Sequence, residues 1–279
     1  MNCGTVVKWY IDKDGDKWYD KNAAPIESQY VPQGGSFIRD PLGPDCDDND
    51  ATKTTDCDPC AQIKAQIANA AWIQKLNILK GKTALKYESG YLEQLDTQSP
   101  FLELAPEGDS SDNLNFPITK TTKGYMHVHT NPYTRIGNDG DEKYIQPIHM
   151  FSPADIIQML KLTANAYQNQ IPMPDVYGAM VSSTGTYQLK FTGDTNMLLQ
   201  NLSNTTAAMN TYKNKIERVD DVYKKAIRRN KGNEGGLLDF MQTIFKINGL
   251  ELFKIEDDNS VSKITKGTDG KVVKTPCTN

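Results

Sequence analysis

Apolar residues first recur at helical intervals in residues 61–82, AQIKAQIANAAWIQKLNILKGK. Ile63, Ile67, Ala70 and Ala71, Gln74 and Ile78 fall three to four apart, and Gly81 closes the run. This predicts one amphipathic helix. The period then shortens to two. KYESGYLEQL and PFLELAP alternate as a pair of strands, and GYMHVHT reads as a further strand after the polar loop EGDSSDNLN. NPYTRIGNDGDEKYIQP is predicted as a long loop, and SPADIIQMLKLTANAYQNQ returns to helical spacing. DVYGAMVSS and GTYQLKF form a hairpin about Thr184-Gly185. The chain reads as helical from about Met197 to Arg229 and again at GLLDFMQTIF. GLELFKI is a strand, and the tail from Asp257 reads as polar.

Residues 5–58 differ from all of this. A strand-like TVVKWYI leads into DKDGDKWYD, then a spacer punctuated by proline and glycine, then DCDDNDA. The pattern divides the chain into a small loop-rich module, 1–58, and a larger α+β domain, 59–279.

Charge sharpens this boundary. Residues 1–60 hold eleven Asp and one Glu against six Lys or Arg, a net of −6, while the whole chain is −4. A segregated acidic segment points to cation binding. No basic, aromatic-rich surface of the kind nucleic acids need is apparent, which argues against a nuclease. No run approaches the ~18 apolar residues of a membrane span. The N-terminus has neither the basic start nor the apolar stretch of a signal peptide. Five cysteines, Cys3, Cys46, Cys57, Cys60 and Cys277, lie toward the two ends. Without a second CxxC, Cys57-Asp-Pro-Cys60 does not make a four-cysteine zinc site, and one or two structural disulfides is the simpler expectation. Trp9, Trp18 and Trp72 are expected to be packing residues, and KKAIRR at 224–229 a solvated helix face.

Asp12, Asp14, Asp16 and Asp20 stand at positions 1, 3, 5 and 9 of a turn with Gly15 at position 4. Alternating carboxylates converge their oxygens, which suits calcium with its 6–8 oxygen ligands. The turn is not an EF-hand, since Lys17 stands where that loop needs glycine and Ala23 where it needs Glu. Asp45, Asp47, Asp48 and Asp50 can complete the cage. DKDGDKWYD, a YVP spacer and DCDDNDAT together resemble the "DxDGDGYGD … GDCDDxDA" calcium-binding repeats of secreted bacterial proteins, related to thrombospondin type 3 repeats. The resemblance spans residues 9–52 and lacks the first cysteine of the usual spacer. It implies structural Ca2+ and an exported or cell-surface protein of which this chain is a part.

All three histidines lie within 23 residues. Strand alternation puts His127 and His129 on one face, with Met126 and Val128 toward the core. Two imidazoles so placed reach one metal ion, and a third protein ligand leaves an open position for chemistry. Ser152-Pro153-Ala154-Asp155 offers that ligand, although Ser, Pro and an acid at these positions is also an ordinary helix-capping box.

Strand HxH, a loop, and SxxD opening a helix resemble the JAMM (JAB/MPN) metalloprotease family. The resemblance covers residues 61–194, leaving 195–279 as a helical and β extension. It implies a mixed β-sheet flanked by helices, with Zn2+ held by His127, His129 and Asp155. Ser152 would stabilise an oxyanion, and Glu88 in KYESGYL, two residues before Gly90, would activate the attacking water. Glu93 and Glu103 compete for that last role. The order of elements also resembles divergent JAMM-like domains at the C-termini of large secreted proteins of Bacteroidetes-type bacteria. Two departures stand out. The proline after the second histidine is displaced to Pro132, and the segment from His129 to Ser152 is long and carries His149. His149 can be a replacement ligand, giving a three-histidine site, a substrate contact, or a loop or core residue, of which the last is favoured. The implied activity is hydrolysis of a peptide or isopeptide bond in a protein or peptide substrate, in a toxin, a processing enzyme or a remodeller of surface proteins. The alternative is a catalytically silent binding or structural module on the same scaffold. What separates the two is whether a carboxylate stands over the metal position.

Overall fold

In the computed structural model of the chain, the described residues are 5–20, 23–45, 51, 58–95, 98–104, 106, 114–137, 139–169, 171–193, 197–213, 218–229 and 233–278. The acidic segment forms short strands β1 (Val7–Ile11), β2 (Tyr19–Asp20), β3 (Ile26–Ser28), β4 (Phe37–Ile38) and β5 (Pro44–Asp45). The strands β3 and β4 pair antiparallel on either side of β1, and β2 runs parallel to β5 with Asp20 opposite Asp45. Trp18 is buried here, and Trp9 donates its indole N–H to the Ser28 carbonyl.

Beyond it come α1 (Pro59–Ala68), α2 (Ala70–Lys80), β6 (Gly90–Gln94), β7 (Phe101–Leu104), β8 (Thr122–Val128), β9 (Tyr133–Ile136), β10 (Glu142–Ile145) and α3 (Pro153–Gln168). They are followed by β11 (Tyr177–Ser182), β12 (Gly185–Phe191), α4 (Met197–Lys213), α5 (Val219–Arg229), α6 (Asn233–Phe240), β13 (Leu250–Ile255), β14 (Val261–Lys266) and β15 (Val272–Pro276). Eight strands form one mixed sheet in the order β15-β14-β13-β12-β11-β8-β6-β7. The β8–β11 pair is parallel and its neighbours in the sheet are antiparallel, so α3 lies in the crossover a parallel pair requires.

Both faces of this sheet are covered. Met126, Val128, Tyr177, Ala179 and Val181 pack with Trp72, Leu76 and Leu79 of α2. The alternate positions Tyr125, Met180 and Leu189 join residues of α3, α5 and α6. The chain thus has an α+β fold with a large mixed sheet and, among the described residues, six α-helices. The Cys60–Cys277 disulfide ties the start of α1 to the residue after β15. It makes a disulfide within Cys57-Asp-Pro-Cys60 incompatible, because Cys60 is already bonded.

Three expectations are corrected. The helix of residues 61–82 is two helices, broken where Asn69 is extended and its side chain accepts hydrogen bonds from Ala71 N and Trp72 N. Asparagine competes well for such a capping position. The break shifts the buried face to Trp72, Leu76 and Leu79 and leaves Ile78 exposed. The long loop after His129 contains the β9–β10 hairpin. The polar tail contains β14 and β15, two strands of the main sheet.

Candidate metal centre

The strand β8 lies inside the sheet, and its alternation places His127 toward α3 and Met126 and Val128 toward α2. His129 follows the end of the strand, fixed by its N–H to the Val181 carbonyl at 2.8 Å. His127 is 0% and His129 4% exposed. Their Nε2 atoms face each other at 2.9 Å. Asp155 completes the group, with Oδ1 3.3 Å from His127 Nε2 and Oδ2 3.3 Å from His129 Nε2. Bonds of about 2.0–2.1 Å in a tetrahedral site give ligand–ligand separations of about 3.3–3.4 Å. The spacing of Asp155 to both imidazoles fits a shared metal ion. Glu88, His127 and His129 likewise bring ligand atoms within 4.8 Å of one another.

Glu88 stands further out, with Oε1 3.8 Å from His129 Nε2. That suits a carboxylate poised above the site. Gly90 explains how it comes there. It lies opposite His127, where a Cβ would meet the Met126 carbonyl at 2.7 Å and the His127 Cβ at 3.1 Å. Only glycine lets β6 approach so closely, and Glu88 sits two residues before it. The rivals are engaged elsewhere. Glu93 is bound to Lys123 at 3.0 Å and to the Tyr177 hydroxyl at 2.7 Å, and Glu103 to Lys82 at 3.1 Å.

Asp155 also performs the capping role. Its Oδ2 accepts from Ser152 N at 2.6 Å, and its own N–H donates to Ser152 Oγ at 3.2 Å. The two readings of SxxD are compatible, because one carboxylate has lone pairs for both. Two buried tyrosines anchor this turn, Tyr125 donating to the Asp155 carbonyl at 3.0 Å and Tyr223 to the Phe151 carbonyl at 2.7 Å. Tyr223 belongs to α5, in the extension past 194, and no sequence pattern marked it. His149 is not in the group. Its Nδ1 lies 3.1 Å from Ser183 Oγ and its carbonyl accepts from Thr184 and Asn233. It is a loop-anchoring residue.

The second ring nitrogens differ. His129 Nδ1 lies 2.5 Å from the Ile148 carbonyl, which fixes that nitrogen as the N–H and leaves Nε2 as the ligand atom. His127 Nδ1 is buried with no hydrogen-bond partner among the described residues. Burial alone would lower the His129 pKa, but Glu88 and Asp155 outweigh it and raise it to about 9. Burial would likewise raise the Asp155 pKa, but His127 and His129 hold it well below the usual carboxylate range. The metal-free centre therefore carries a proton on His129 at neutral pH. A metal must displace it, so apparent affinity should climb about tenfold per pH unit toward pH 9 and then level. Chelator competition at pH 6, 7 and 8 checks this, and an affinity that stays flat over that range contradicts it.

The centre opens into a cleft of about 860 Å³. Glu88, His129, Ser152 and Asp155 lie in its wall, and Leu114, Phe116 and Ile148 give it an apolar side. In the N-terminal module Asp12, Asp14 and Asp16 form a second group of converging carboxylates. Gly15, at φ +80°, provides the left-handed turn, and Asp12 accepts from Gly15 N and Lys17 N. Asp16 Oδ2 is buried without a hydrogen-bond partner among the described residues. Asp20 instead pairs with Lys13 at 3.1 Å. Asp45 is buried, and its charge reaches Asp16. Asp47, Asp48 and Asp50, with Cys3, Cys46 and Cys57, lie outside the described residues.

Fold and centre together define an α+β protein with a buried histidine–carboxylate group able to hold a metal ion. Compared with protein-family models, curated proteins and solved structures, the chain matches none.

Proposed function

We propose that the larger domain is a zinc-dependent peptidase or isopeptidase of JAMM type. The observation that carries this is the position of Asp155, 3.3 Å from both imidazole nitrogens, with Glu88 Oε1 3.8 Å from His129 Nε2. His127, His129 and Asp155 would hold the ion. Zinc in such a site supplies Lewis acidity, which makes water a competent nucleophile near neutral pH. Glu88 takes the proton of the attacking water and returns it to the leaving amine. Ser152 Oγ accepts the Asp155 N–H as a cap, and its own hydroxyl proton is directed to the oxyanion of the tetrahedral intermediate. The Ile148 carbonyl keeps His129 in the tautomer the reaction needs.

The N-terminal module holds structural calcium on Asp12, Asp14, Asp16 and Asp45. Together with the Cys60–Cys277 bond, this supports an exported or cell-surface setting. Burial, then the charges of Asp14, Asp45 and Asp12, outweigh a hydrogen bond from Trp18 N and raise the Asp16 pKa from 3.8 to about 7. A raised carboxyl pKa means the folded module holds the extra proton, so stability without metal falls as pH rises from about 4 to about 7. Melting in a calcium chelator is expected at lower temperature at pH 8 than at pH 5, and excess calcium should abolish the difference. Equal melting temperatures in the chelator would count against it.

The proposal is tested by elemental mass spectrometry on the wild type and on His127→Ala/His129→Ala, with hydrolysis of a mixed peptide pool scored in parallel. Zinc near one equivalent, lost in the variant while calcium stays, is the expected result. Absence of zinc from the wild type even after it is supplied would overturn it. Stoichiometric zinc without hydrolysis would favour the silent binding module.

A further inference from the structure

The cleft is not uniform along its length. On α3, Ala154, Gln158 and Lys161 face it at i, i+4 and i+7, the spacing of one helical face. Lys161 is six residues beyond Asp155, about 9 Å along the axis at 1.5 Å per residue. From α5, Asp220 and Lys224 face the same cleft, again at i and i+4. Both lysines are exposed, and neither makes an ion pair among the described residues. Asp220 lies in the first turn of α5, where the helix amides already complement an acid. The acids Glu88 and Asp155 sit beside the histidines. Besides the metal centre and the apolar side of Leu114, Phe116 and Ile148, the cleft therefore carries two lysines on its wall. Gln158 Nε2 donates to the Phe116 carbonyl at 3.3 Å, which ties this wall to α3.

We propose that Lys161 and Lys224 select a peptide substrate carrying an acidic side chain two or three residues from the scissile amide. The inference rests on the peptidase reading and adds to it the class of substrate. An extended peptide advances about 3.3 Å per residue, so two or three residues span the roughly 9 Å that separates Lys161 from Asp155 along α3. A carboxylate is attracted to these lysines, whereas a neutral side chain is not and a basic one is repelled. Exposed ion pairs are individually modest, so the two lysines together should give a preference of about tenfold, reduced by salt.

The test uses the full chain carrying Glu88→Gln and loaded with zinc. The probes are peptide hydroxamates in which one Glu is moved from the first to the fifth residue of an otherwise neutral sequence. Affinities are measured by competition fluorescence against the matching Gln peptides. The expected result is about tenfold tighter binding with Glu at the second or third residue. Lys161→Gln/Lys224→Gln and high salt should both remove this preference, and acetohydroxamate should bind the lysine variant and its parent alike. If acetohydroxamate fails to bind at all, the zinc reading falls. The same peptides as plain amides then score the lysines on their own. Equal affinity for Glu and Gln peptides in whichever format binds overturns the inference.

Discussion

Glu88→Gln is expected to lower kcat for peptide hydrolysis by about 10²–10⁴ while leaving zinc at one equivalent. Distance underlies both halves of this expectation. Asp155 stands at the ligand–ligand spacing of a tetrahedral site, 3.3 Å from each imidazole, whereas Glu88 Oε1 is half an ångström further from His129. Gln keeps the shape of Glu and cannot take a proton, so the metal should stay and the chemistry stop. Glu103→Gln is the control, since Glu103 is committed to Lys82 at 3.1 Å and should leave kcat within about twofold. A Glu88→Gln protein that lost its zinc would make Glu88 a ligand, as its grouping with the two histidines also allows. One that kept full activity would remove it from the reaction altogether.

The parts of this centre that sequence made legible are those in which one period fixes geometry. HxH in a strand must place both rings on one face, and SxxD must bring Asp155 back to the Ser152 N–H, whatever surrounds them. E-x-G was legible as a spacing, but its reason appears only with the Gly90–His127 pairing across two strands. What could not be read depends on contacts distant in sequence. Tyr223 reaches the Phe151 carbonyl across 72 residues, and nothing in VDDVYKKAIRR distinguishes that tyrosine from a surface one. β14 escaped notice because Val261 and Ile264 are buried against opposite faces of the sheet and so lack a period of two. The β9–β10 hairpin escaped because it stands apart from the main sheet and leaves Ile136 and Tyr144 exposed, so it has no apolar face to announce it.

The same carboxylate that caps α3 is assigned to the metal, and two substitutions separate these jobs. Asp155→Asn retains an oxygen to accept the Ser152 N–H now held at 2.6 Å, so the helix start should lose about 1 kcal/mol or less. It also removes the anion between two buried imidazoles. Loss of an outer-shell partner costs a metal site about 10–100-fold in affinity, and loss of a direct ligand should cost about 100-fold or more. Ser152→Ala does the reverse. It removes the acceptor for the Asp155 N–H, at about 1 kcal/mol, leaves Asp155 with its two imidazoles, and takes from the cleft a hydroxyl donor worth about 10²–10³ in kcat. Zinc affinity, measured on both variants, should therefore set them apart: it collapses in Asp155→Asn, which also leaves the buried His129 without its anion, and it stays near the wild-type value in Ser152→Ala. If SxxD were only a helix cap, zinc affinity would be the same in the two proteins and in the wild type, and melting temperature alone would change.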